Sequence, residues 1–203
     1  EEILMNICIV SPSFGYGGAN IIAATLGKEL DKTHNLVYYS YKYTDNYSNL
    51  PEEKTFFFKG THNKILDKLK KSTEYIFSGG EFTPYKYYKR EIEQLYELIE
   101  RFNVECIILN SFTAVSIFTI PLRKKYPKVK QIAWMHESAE QSFGSLVKNY
   151  LRSYEKSLAT VDRVVCLTQT DLKTYRQYNN NSVIIHNPVT FNTSEKSNLR
   201  EKV

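Results

Sequence analysis

Seven short apolar runs rich in β-formers, at residues 6–11, 36–41, 54–58, 105–110, 130–134, 163–167 and 182–186, alternate along the chain with segments of helical period. Neighbouring strands joined this way cannot form tight hairpins. Each connection is long enough to cross over and bring the next strand in parallel, and such crossovers are right-handed. The pattern predicts a Rossmann-like α/β fold, a parallel sheet with helices on both faces. The helical stripes are legible: Ala19, Ile22, Ala23, Leu26 and Leu30 step by three and four, as do Tyr88, Ile92, Leu95, Ile99 and Phe102. Pro84 suits the opening turn of the second of these helices. Further helical patterns cover 113–124, 142–159 and 170–178. From Thr190 the apolar pattern gives way to TFNTSEKSNLREKV, so the globular unit is set at 5–190 and residues 191–203 are a polar tail or the start of a linker.

With 203 residues, 42% of them hydrophobic, the chain can bury one sizeable core. No apolar stretch reaches the roughly 18 residues of a membrane span, and the acidic start Glu1-Glu2 lacks the basic flank of a signal peptide, so the expected location is the cytoplasm. Cys8, Cys106 and Cys166 each sit inside an apolar run, without the spacing of a metal site, and read as core residues. The net charge of +5 suits an anionic substrate, an anionic membrane face or plain solubility. Nucleic acid is not an expected partner: there is no long basic run and no finger, helix-turn-helix or RNA-recognition signature.

Three of the eight glycines crowd into FGYGGAN, residues 14–20, between the first strand and the first helix. Such a turn sets backbone N–H groups and about half a positive charge of helix dipole at the carboxyl edge of the sheet, which suits a phosphate. The bland alternative is a tight turn that lets helix and sheet pack closely. A dinucleotide fingerprint would need glycine where Asn20 stands and an acidic residue near Tyr39-Ser40-Tyr41, and a GxxxxGK[ST] loop is missing.

Three stretches add to the loop: Gly15-Tyr16-Gly17-Gly18-Ala19-Asn20 after a strand, then IAWMHES (132–138), then VDRVVCLTQTDLKTY (161–175) with NSVIIHNPV (181–189). In this order they resemble the N-terminal domain of a family-4, GT-B-fold retaining glycosyltransferase over most of residues 5 to 190. The resemblance implies a two-domain enzyme whose first half holds the acceptor, while a second Rossmann-like half binds a nucleotide-sugar through a pair of glutamates. This sequence contains no such half, so the chain is expected to be a fragment that is inactive alone. The resemblance also implies that Gly17 and Gly18 approach the donor diphosphate and that His136 faces the transferred sugar. Asn20 stands where many relatives have glutamate. No metal and no cofactor are expected, the nucleotide-sugar being a substrate. The acceptor is a glycan, a lipid-linked sugar or a protein. A reading from a different class is a non-catalytic glycan-binding or partner subunit with the same fold.

Other residues keep two readings. Asn110 and Ser111 end the fourth strand and Thr168 the sixth, where they either hydrogen-bond acceptor hydroxyls or cap the following helices. Residues 64–77, KILDKLKKSTEYIF, form a basic amphipathic pattern, either a solvated helix face or a surface for an anionic membrane, which would set the protein on the membrane's inner face. Tyr39, Tyr41 and Tyr43 are read as one aromatic strand face, and Tyr47, in a polar loop, as a ring able to stack on a sugar. His34, His62 and His186 have no comparable context. No GxSxG elbow, HExxH motif or spaced carboxylate pair argues for hydrolysis.

Overall fold

The computed structural model describes residues 4–60 and 64–188, with side chains from residue 68 onward in the second span. His62, Val189 and the tail 190–203 lie outside the described residues. β1 (Asn6–Ser11), β2 (Asn35–Ser40), β3 (Thr55–Phe57), β4 (Cys106–Asn110), β5 (Lys130–Trp134), β6 (Arg163–Cys166) and β7 (Ser182–Ile184) pair in parallel in the order β3-β2-β1-β4-β5-β6-β7. The chain first moves outward from β1 to β3, then returns to the other side of β1 and runs from β4 to β7. The order therefore reverses between β1 and β4, and this Rossmann-like reversal opens a crevice at the carboxyl edge.

Both faces of the central strands are covered, which is why they read as apolar runs rather than alternating ones. On one face α1 (Gly18–Leu30) lays Ile22, Ala23 and Ala24 over Ile7, Ile9, Leu36, Tyr38, Cys106 and Ile108. On the other, α3 (Lys89–Phe102), α4 (Phe112–Lys125), α6 (Leu151–Thr160) and α7 (Gln169–Tyr175) cover Cys8, Val10, Ile107, Leu109, Ala133 and Val164. α2 (Lys64–Phe77) lies at the periphery, tied down by Lys86 and the Tyr87 hydroxyl, which both reach Glu74. The three cysteines are buried free thiols, and burial pushes the Cys106 thiol up to about 11.

Three local expectations are revised. The continuous helix expected over 142–159 is broken: α5 (Ala139–Gln141) runs into a wide turn at Ser142–Leu146, and α6 starts only at Leu151. At this break the Asn149 carbonyl accepts from the Phe82 N–H at 2.9 Å. Pro84 opens a separate 3₁₀ turn, Pro84–Tyr87, and α3 begins at Lys89. Tyr39 and Tyr41 are buried as a strand face requires, but β2 ends at Ser40 and Tyr43 lies half exposed beyond it. Among the described residues no helix is long and apolar enough to cross a membrane.

Candidate active site

At the reversal point the carboxyl ends of β1 and β4 present Ser11 and Asn110, and the chain leaving β5 presents His136 beside them. Asn110 is fully buried and holds the group together. Its Nδ2 donates to Ser11 Oγ at 3.1 Å and, at a longer 3.4 Å, to the Ala19 carbonyl in the first turn of α1. Its Oδ1 thereby faces His136 Nε2 at 2.6 Å. Because that oxygen can only accept, Nε2 carries the proton and Nδ1 is the ring's acceptor. Ser11 completes the chain by donating to Asn20 Oδ1 at 3.4 Å.

Burial in this crevice pushes the His136 imidazole down to about 4, so the ring is neutral at physiological pH. It packs against the Trp134 indole with ring centroids 5.0 Å apart. Nδ1 of His136 is buried with no hydrogen-bond partner among the described residues, as are Trp134 Nε1 and Glu137 Oε2. Buried polar atoms are seldom left this way, and these three lie within four residues at the exit of β5. Burial first, then neighbouring tyrosines, and only after those the Glu137 carboxylate, raise the phenols of Tyr150 and Tyr154 at the start of α6.

The loop carrying His136 is pinned from α7. Asp171 accepts the Ala139 N–H at 2.7 Å on one oxygen and the Thr168 hydroxyl at 2.5 Å on the other, while Thr168 Oγ accepts the Asp171 N–H. Thr168 therefore caps α7 and orients Asp171. Ser111 likewise caps α4, accepting the Ala114 N–H at 3.2 Å, and it does so at φ 137°, ψ 161°, a region nearly reserved for glycine. For both hydroxyls capping is the observed contact. Asn110, whose sequence position suggested contact with acceptor hydroxyls, faces inward and positions His136.

The three loop glycines separate by physical cause. A Cβ on Gly15 would lie 2.8 Å from Asp45 Cβ, so Gly15 permits close packing. Gly17 sits at φ 143°, where side chains are strained, and ends the loop as the N-cap of α1. Gly18 has nothing within 4 Å of where its Cβ would be. Packing thus explains Gly15 but not Gly18. No side chain caps α1, and its first turn carries no acidic residue, so its leading N–H groups and dipole meet the crevice without an internal anion. Beside the loop the exposed rings of Tyr16 and Tyr47 meet edge to face, centroids 5.4 Å apart. Sequence reasoning passed over Ser11, Tyr16 and Asp171. Of these, Asp171 had a readable signal in the Thr-x-x-Asp spacing of a helix start.

The family model for Glycosyltransferase Family 4 matches residues 16–192. The chain belongs to glycosyltransferase family 4. No curated protein sequence matches it. Solved structures share the fold of this family 4 domain at low identity. HepE of Anabaena, solved in complex with UDP and glucose, has a TM-score of 0.59 and 13% identity over 91% of this chain and 45% of its own. Sucrose-phosphate synthase of Thermosynechococcus elongatus has a TM-score of 0.58 and 14% identity, over 90% and 48%. An alpha-glucosyltransferase in complex with UDP and a 13-mer DNA has a TM-score of 0.53 and 11% identity, over 92% and 43%. The chain spans less than half the length of each of these, and its fold is one Rossmann-like half of a GT-B glycosyltransferase.

Proposed function

We propose that this family 4 domain is the acceptor-side half of a metal-independent, retaining glycosyltransferase that draws its sugar from a nucleotide-sugar held mainly by a second domain. The observation that carries the reading is the convergence, at one sheet reversal, of the uncapped start of α1 at Gly17-Gly18 and the neutral His136 ring with its unpartnered Nδ1. The backbone N–H groups there suit the charge that grows on a departing diphosphate. A neutral imidazole with a free acceptor suits a sugar hydroxyl. In the retaining reaction the bond from the anomeric carbon to the phosphate oxygen breaks, the acceptor oxygen bonds on the same face, and the acceptor's proton passes to the leaving phosphate. HepE's complex with UDP and glucose supports a nucleotide-sugar donor.

Incubating the full protein with a panel of nucleotide-sugars and following nucleotide release tests this. Release with one donor, abolished by His136→Ala, is expected. A folded full protein that releases nucleotide from none, yet binds glycans, supports the non-catalytic glycan-binding reading instead.

α2 supports a second element of the proposal, docking on an anionic membrane at its cytoplasmic face. Leu69, Ile76 and Phe77 are 61%, 74% and 85% exposed on a helix that also exposes Lys68 and Lys70. Apolar groups of this size beside ammonium groups match an interfacial helix. Flotation of the full protein with anionic but not zwitterionic vesicles is expected, as is its loss in Leu69→Ser/Phe77→Ser. No flotation of wild type would remove membrane docking from the proposal, and flotation that persists in the variant would remove α2 as its surface.

A further inference from the structure

A cavity of about 570 Å³ opens where the chain leaves β2 and β3, roofed by α2 and by the turn before α3. Three lysines converge on it: Lys42 just after β2, and Lys68 and Lys71 one turn apart on α2. Its apolar walls include Tyr41, Phe58 and Tyr88. No carboxylate lines it among the described residues. Lys71 is held over the rings of Phe82, Tyr87 and Tyr88 at 5.1–5.6 Å. Lys42 is exposed with its ammonium 5.1 Å from the neighbouring Tyr43 ring, and neither Lys42 nor Lys68, also exposed, has an ion pair among the described residues. Glu74, a carboxylate among the described side chains of α2, is taken by Lys86 and by the Tyr87 hydroxyl.

Like charges gathered against low-dielectric aromatic walls repel one another, and a bound anion relieves that repulsion. A merely solvated lysine face does not need a cavity. The cavity's place is as informative as its charge. It lies on the same carboxyl edge as His136, and its floor residue Tyr41 donates its backbone N–H to Ser11 O at 3.2 Å, the residue whose hydroxyl receives Asn110. From β2 to β5 is three strand positions, roughly 14 Å at the usual spacing of parallel strands.

We infer that this cavity holds the negatively charged group, phosphate or carboxylate, of the acceptor, so that the enzyme's acceptor is an anionic glycan or glycan phosphate and not a neutral sugar. The inference rests on the transferase reading for the word acceptor. The anion site itself stands on Lys42 and Lys68.

The test is calorimetric titration of the full protein with three ligands of similar length: a short-tailed lipid-linked sugar diphosphate, a uronate-terminated disaccharide and a neutral disaccharide. Wild type is compared with Lys42→Ala/Lys68→Ala and with Lys124→Ala/Lys128→Ala, which removes the same charge from exposed positions at the opposite edge of the sheet. One anionic ligand is expected to bind at least about tenfold more tightly than the neutral one, and the Lys42/Lys68 variant to lose about tenfold where the control loses little. Which of the two anions wins identifies the source of the charge. Equal affinity for all three ligands, or equal losses in both variants, overturns the site. Nucleotide release from the nucleotide-sugar panel in the presence of the three ligands is the separate readout. Its absence with anion selectivity intact overturns the transferase reading alone, and its presence with no anion selectivity overturns the cavity alone.

Discussion

His136 points its Nε2 proton at Asn110 Oδ1 across 2.6 Å, and the opposite ring nitrogen is buried without a partner among the described residues. Burial keeps the native ring neutral down to about pH 4. In the unfolded chain the same ring takes a proton near pH 6.5. Between those values the unfolded state binds more protons, so stability is full above about 6.5 and falls as pH drops toward 4, by about 3 kcal/mol in all. Going from about pH 7.5 to about pH 5 should cost wild type about 2 kcal/mol more than it costs His136→Gln, which cannot titrate. Denaturant unfolding at the two pH values measures the difference, and equal pH slopes would show that the ring is not held neutral.

Gly17 and Gly18 should respond to alanine in opposite ways. At φ 143° an alanine at 17 is strained by about 1–3 kcal/mol. At 18 a Cβ meets nothing, and alanine in place of glycine at a helix start favours the helix by up to about 1 kcal/mol. Gly18→Ala should therefore keep or raise Tm while slowing sugar transfer about tenfold or more, because the methyl stands where a phosphate would approach the backbone. A Gly18→Ala enzyme with unchanged kcat and KM would take the diphosphate away from this turn.

The strands were readable because a sheet buried on both faces demands unbroken apolar runs, and those runs lie within a residue or two of the observed β1–β7. The break before α6 was not readable. At the break the Asn149 carbonyl accepts from the N–H of Phe82, distant in sequence, and helical period carries no trace of such a bond. The site divides in the same way. His136, Gly17 and Gly18 stand out locally as a histidine at a strand exit and an unusual glycine cluster. The inward turn of Asn110 toward His136 exists only because β1, β4 and β5 become neighbours in the order 1-4-5, a fact of topology that no short stretch contains. The Lys42–Lys68 cavity is likewise made by two segments separated by all of β3.

Asp171 is expected to act on His136 at a distance. It accepts from the Ala139 N–H and the Thr168 hydroxyl and is almost fully buried, so Asp171→Ala leaves two donors unpaired and should destabilise the protein by about 2–4 kcal/mol. Thr168→Val, which removes the cap but leaves the Ala139 bond, should cost about 1 kcal/mol. Amide hydrogen exchange at Ala139 separates the cases. It should accelerate strongly in Asp171→Ala and little in Thr168→Val, and the reverse order would mean that the loop is held by something else.

Ser111 combines strain and capping, and substitution can separate them. Its φ of 137° costs about 1–3 kcal/mol for a residue with a side chain, while its hydroxyl returns about 1 kcal/mol by accepting the Ala114 N–H. Glycine removes the strain, loses only a few tenths of the cap and adds chain entropy to the unfolded state, for a net gain near 1 kcal/mol. Alanine keeps the strain and loses the cap, for a net loss of about 1 kcal/mol. The expected order of denaturation midpoints is Ser111→Gly, wild type, Ser111→Ala, opposite to the helix preferences of glycine and alanine. The same pair of variants tests whether this hydroxyl also meets the acceptor. If capping is its whole role, Ser111→Gly should transfer sugar with the acceptor KM of wild type. A several-fold higher acceptor KM in a more stable protein would give Ser111 a second task, one that stability measurements alone do not detect.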